Sequence, residues 1–107
     1  MKIYFIDIYG KNLRIKKLIE KKGLENIEHK DSYSFRSTKN DYNILSEYNE
    51  KNLDNQQLSK LNNLIVITDK KDEDTILKLA NEYKTIDIIS SDCGEEYIAE
   101  RIYKLIS

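Results

Sequence analysis

Leu64-Ile65-Val66-Ile67-Thr68, held between Asn62-Asn63 and Asp69-Lys70, is the stretch that decides the fold. It is an unbroken apolar run, rich in β-branched residues and bounded by polar ones, which is the pattern of a strand buried on both faces. Toward the C-terminus, Ile76, Leu77, Leu79, Ala80 and Tyr83 recur at helical spacing. A second apolar run, Ile86 to Ser90, follows, and then Ile98, Ala99, Ile102, Leu105 and Ile106 on one helical face. Toward the N-terminus, Ile3 to Ile8 is a third run of the same kind. It precedes a narrow stripe of Leu13, Ile15, Leu18 and Ile19, with Asn12 placed to cap that helix and Gly23 to end it. Strands alternating with helices imply crossover connections and a parallel sheet covered on both sides.

The middle of the chain reads less directly. Ser32 to Arg36 alternates Tyr33 and Phe35 with polar residues and predicts a half-exposed second strand, starting as early as Ile27. Asp41 to Asn49 reads as a helix with Tyr42, Leu45 and Tyr48 on its buried side. A short helix after it has clear start signals: Asp54 to cap it, Gln57 to complete a capping box, and Leu53 to staple onto Leu58. The expectation is one domain over residues 1–107, a three-layer α/β/α sandwich of Rossmann-like type with about four parallel strands.

The 107 residues have a formal net charge of -1, with fifteen Lys and three Arg against nineteen acids, which rules out a polycation built to wrap duplex DNA. No apolar run is long enough to span a bilayer, and Asp7 within the first run speaks against a signal peptide. The single cysteine, Cys93, excludes a disulfide framework and a multi-Cys zinc site, and suits a reducing cytoplasm. His29 stands alone. The abundance of Lys, Ile, Asn and Tyr fits an AT-rich bacterial or phage genome. There is no GxxxxGK[ST] and no GxGxxG, so neither common phosphate cradle is present. No Cys follows the first strand, unlike a sugar-phosphotransferase IIB domain or a low-molecular-weight tyrosine phosphatase. The turn Tyr9 to Asn12 lacks the Ser/Thr-rich phosphate loop of a flavodoxin.

Ligands of open parallel sheets gather beyond the carboxyl ends of the strands. The acids expected there are Asp7, Asp69, the cluster Asp72-Glu73-Asp74, and Asp92 followed by Glu95 and Glu96. Asp7 is the most informative, because a lone carboxylate late in an apolar strand costs several kcal/mol unless paired, hydrogen-bonded or metal-bound. It reads either as a metal ligand or as a carboxylate that caps a nearby loop or helix. Asp72 and Asp92 can equally cap helices, Asp69 suits a strand-ending turn, and Asp87 lies at the far end of its strand. Converging carboxylates repel one another unless a cation neutralises them, and oxygen-only ligands favour Mg²⁺ or Mn²⁺. Such a metal would activate water against a phosphodiester, with Lys11, Lys70 and Lys71 near enough in sequence to hold phosphate oxygens.

Phe5-Ile6-Asp7 with Gly10-Lys11-Asn12-Leu13, and the stretch Lys71-Asp72-Glu73-Asp74-Thr75-Ile76-Leu77 leading to Ile88-Ile89-Ser90-Ser91-Asp92-Cys93-Gly94, resemble the PIN-like nuclease domains of the NYN branch. The second stretch is the better match. The resemblance implies metal-dependent cleavage of RNA, with Asp7, Asp74 (or Glu73) and Asp92 as metal ligands and Glu95 or Glu96 as a fourth. The turn after Asp7 is longer than that family's pattern, and the middle third has no counterpart in it.

Two other classes compete. A receiver-like regulatory domain would use Asp69, at the end of a central strand, as phospho-acceptor; receivers also show adjacent acids after the first strand and a Lys after a fifth, neither of which is legible here. A non-catalytic interaction, adaptor or inhibitor protein, encoded for instance by a mobile element, would use Tyr33, Phe35, Tyr42 and Tyr48 as its protein-binding surface.

Overall fold

The computed structural model describes residues 1–48, 55–70 and 72–107. Five short strands form one sheet: β1 (Ile3–Ile6), β2 (Ile27–Lys30), β3 (Tyr42–Leu45), β4 (Leu64–Thr68) and β5 (Thr85–Ser90). All pairs are parallel and the order is β2-β1-β3-β4-β5. The helices are α1 (Leu13–Lys21), α2 (Asn55–Leu58), α3 (Glu73–Glu82) and α4 (Glu95–Ile106), the last preceded by a 3₁₀ turn, Ser91–Cys93.

Two cores, one on each face, explain why the interior strands are mostly apolar on both sides. Phe5, Ile44, Ile65, Ile67 and Ile89 point to one face, where Ile15 and Ile19 of α1 and Ile98, Ala99 and Ile102 of α4 cover them. Ile6, Leu45, Leu64 and Val66 point to the other, beneath Leu58, Leu61, Leu79 and Tyr83. Each fully buried side chain of this size contributes about 1.5–3 kcal/mol. The three-layer parallel architecture expected from the apolar runs is therefore present.

The middle of the chain differs from its sequence reading. Tyr42–Leu45 is a strand, not part of a helix, and it lies between β1 and β4 at the centre of the sheet. The sheet accordingly has five strands rather than about four. Ser32 to Arg36 is irregular; the second strand is Ile27–Lys30, at the edge beside β1. The rings of that irregular stretch are turned inward, with Tyr33 in the core and Phe35 packed against Tyr4 at a centroid distance of 4.7 Å. The expected cap Asp54, the staple residue Leu53 and Asn49 lie outside the described residues.

Local chemistry fixes the ends of the elements. Asp72 caps α3, accepting from the Thr75 amide at 2.9 Å and from its hydroxyl at 2.6 Å, and these bonds, the hydroxyl's first, hold its carboxyl below the usual carboxylate range. At the amino edge of the sheet, Asp41 accepts from the amides of Thr38 and Lys2, each at 2.8 Å, tying the approach to β3 to the start of β1. The Thr38 amide is the main reason its pKa is lowered. Asp87, read as lying at the far end of its strand from the site, takes a two-pronged bond from Arg101 of α4 at 2.7 and 2.6 Å. Asp87 also accepts from the amide of Ile88, which occupies a backbone donor on edge strand β5.

Candidate functional site

The chain leaves β1 in one direction to form β2 and returns to the other side of β1 to form β3, so the order reverses between β1 and β3. Beyond the carboxyl ends of these strands lies a cleft of ≈ 310 Å³. Lys11 and Asn12 reach it from the β1–α1 loop, Ser46 and Glu47 from the end of β3, Thr68 and Asp69 from the end of β4, Ser91 from the 3₁₀ turn and Glu95 from the start of α4. Ile15, Ile67 and Ile98 form its apolar base. This is where the topology of an open parallel sheet places a ligand.

Asp7 is the anchor of this rim and not part of its lining. It is 1% exposed, and its two carboxylate oxygens are each engaged: one accepts from the Asn12 amide at 2.9 Å, the other from the Ser46 hydroxyl at 3.2 Å. Both partners line the cleft, so the carboxylate fastens two of its walls from beneath. The Asp7 backbone is held as well, its amide donating to the Lys30 carbonyl at 2.9 Å and its carbonyl lying 3.2 Å from Nε2 of His29. Gly10 adopts φ +68° in the loop that brings Asn12 back over Asp7. Asn12 stands at the N-cap of α1 but makes no side-chain cap bond; its contribution to the loop is its amide. Of the two readings of Asp7, the loop-capping carboxylate is the one the geometry bears out.

The expected metal centre is not formed. Among the described residues, no group of three or more His, Cys, Asp or Glu is placed to hold a metal ion. Asp74 and Glu73 lie exposed in the first turn of α3, where they complement the helix dipole. Asp92 lies exposed in the 3₁₀ turn, whose cap is the Ser90 hydroxyl accepting from the Asp92 amide at 3.3 Å. The N-cap of α4 is Gly94, so neither Ser91 nor Asp92 caps that helix. Glu95 reaches the cleft, with one oxygen 3.7 Å from Nε of Arg14. Asp7, Asp74 and Asp92, with Glu73 and Glu95, are therefore not gathered into a site for Mg²⁺ or Mn²⁺, and metal-dependent RNA cleavage loses its structural basis.

The lysines expected to hold phosphate divide. Lys11 lines the cleft, its ammonium 5.4 Å from the centre of the Tyr9 ring, while Lys70 is exposed beside it with its amide bonded to the Thr68 hydroxyl. Lys71 lies outside the described residues. The cleft brings Lys11 together with Glu47, Asp69 and Glu95, an acidic balance that opposes phosphate. The aromatic surface proposed from sequence is also absent: Tyr33 and Tyr48 are buried, and Phe35 and Tyr42 are half-buried on opposite faces of the sheet.

The residues that sequence reasoning missed are Ser46, Glu47 and Thr68. Ser46 and Glu47 were hidden inside the supposed helix, and Thr68 inside an apolar strand. A strand reading of Tyr42–Leu45 would have brought the first two to the carboxyl edge.

The order 2-1-3-4-5 is that of the flavodoxin-like and receiver-like class of α/β domains. Neither a protein-family model nor a curated protein sequence matches the chain. No helix among the described residues is long and apolar enough to cross a membrane.

Proposed function

We propose that the chain is a non-catalytic interaction domain built on a receiver-like sheet. The observation that supports this reading is the engagement of both Asp7 oxygens by the Asn12 amide and the Ser46 hydroxyl. The carboxylate most suited to catalysis is occupied in holding the rim loops in place, and Glu95 of the rim approaches Arg14 at 3.7 Å. A domain organised this way acts through the shape and charge of its surface. The receiver reading shares the sheet order, and a fifth strand is present after all. Its chemistry is less well supported: Ile8 follows Asp7 where a second acid belongs, and β5 runs into Ser91 where a Lys belongs. Asp69, the acceptor in that reading, is exposed at the cleft's edge at the end of β4.

The test is incubation of the protein with single-stranded and hairpin RNA in Mg²⁺ and in Mn²⁺. The expected result is no cleavage above a protein-free control in either metal. Cleavage that requires metal and disappears in Asp7→Asn would overturn the reading.

A further inference from the structure

Charge is divided unevenly along the chain. Residues 1–24 hold seven Lys and Arg against two acids, whereas the remainder holds eleven against seventeen. Of the two early acids, Asp7 is buried and Glu20 is paired with Lys16 at 3.2 Å. The excess gathers on α1. Ile15 and Ile19 face the core, which leaves Leu13, Arg14, Lys17 and Lys21 on the outward side, all exposed. At 1.5 Å per residue the cations span about 10 Å. Lys17 and Lys21 make no ion pair among the described residues, and Arg14 has only the 3.7 Å approach to Glu95.

This helix also departs from the rule its neighbours follow. The first turns of α3 and α4 hold Glu73 and Asp74, and Glu95 and Glu96, which suit the positive end of the helix dipole. The first turn of α1 holds no acid, has Arg14 instead, and lacks a side-chain cap. The Asp7 carboxylate on the Asn12 amide and the approach of Glu95 to Arg14 offset charge at that end, so the excess positive charge lies further along the helix, at Lys17 and Lys21. Two large side chains are exposed at or just before the start of this helix in sequence: Tyr9, 43% exposed, with the Lys11 ammonium over its ring, and Leu13, 38% exposed.

We infer that the outward face of α1, with Tyr9 and Lys11 at its head, docks a short acidic segment of a protein partner. The segment's carboxylates pair with Arg14, Lys17 and Lys21, and an apolar side chain between them covers Tyr9 and Leu13. Arg and Tyr are the side chains on which such contacts concentrate. A nucleic acid fits less well, because a strand longer than the basic file runs onto a surface whose remaining charge is negative. This inference rests on the interaction-domain reading and names the partner's chemistry.

The test is fluorescence anisotropy with a short labelled peptide in which one Leu is flanked by Asp and Glu. Binding is expected to weaken as salt rises. It should fall about tenfold or more in Lys17→Glu/Lys21→Glu. It should persist in Lys39→Glu/Lys60→Glu, which alters exposed lysines on other elements, with circular dichroism confirming that each variant is folded. Absence of binding overturns the inference, as does equal binding by the two double variants or tighter binding of a single-stranded RNA of matched charge. None of these outcomes requires metal-dependent RNA cleavage, so the interaction-domain reading is judged separately.

Discussion

Replacing Asp7 with Ala is expected to lower the melting temperature by about 10–20 °C, the consequence of losing about 2–3 kcal/mol. The substitution strips the Asn12 amide and the Ser46 hydroxyl of their acceptor. Both donors sit at the floor of the rim, and leaving them unsatisfied costs more than the bonds themselves contribute. Asp7→Asn behaves differently. Its amide oxygen can accept from Asn12 while its NH₂ donates to a rotated Ser46 hydroxyl, so most of the stability should survive. A metal ligand would not follow that order, since an amide in place of the carboxylate weakens a cation site whatever it does for packing. Thermal melts of both variants, each in EDTA and in Mg²⁺, check this. The expected deficits are large for Ala, small for Asn and independent of Mg²⁺. A Mg²⁺-dependent stabilisation present in the native chain and lost in Asp7→Asn would count against it.

The second large effect is at Ile44. As part of a central strand it is fully buried between β1 and β4, and Ile44→Ala should cost about 2–5 kcal/mol. A helix over Asp41 to Asn49 has Tyr42, Leu45 and Tyr48 on its buried side and would put Ile44 at the flank of that face, where truncation costs less than in a fully buried central strand. Urea denaturation of Ile44→Ala therefore separates the two arrangements. Loss of most of the folded population indicates the strand; a midpoint near that of the native chain indicates the helix.

These two residues also mark what could be read from the sequence. The apolar runs Leu64–Thr68 and Ile86–Ser90 announce strands because short runs rich in β-branched residues and bounded by polar ones fit a sheet, the first buried on both faces and the second at its edge. Tyr42–Leu45 is only four residues long, and Tyr42, Leu45 and Tyr48 happen to fall at helical spacing; with so short a run, period alone does not separate strand from helix. Edge strand β2 has one apolar residue, Ile27, because it needs to cover little, while the better alternation at Tyr33 and Phe35 arises from rings folded inward out of a loop. Tertiary packing overrode the local pattern in both places.

The site was legible in position and not in orientation. Asp7 and Asp69 do stand at the carboxyl ends of their strands, and Asp92 just past the end of β5, as the apolar runs imply. Whether carboxylates at such ends meet is decided by loop geometry. Gly10 and Asn12 fold an amide over Asp7, and the 3₁₀ turn leaves Asp92 exposed. Asp72 shows the opposite case: the helix cap that its position allowed is found in place, accepting from Thr75.

The most direct measurement of whether the rim is a scaffold or a metal centre is a Mn²⁺ titration of the ¹⁵N-labelled protein followed by amide line widths. If Asp7 serves only to fasten Asn12 and Ser46, paramagnetic broadening will be weak and scattered over exposed acids. Selective loss of the Asp7, Asn12 and Ser46 signals at low Mn²⁺, with Asp92 fading alongside them, would mean that the carboxylates do gather around a cation.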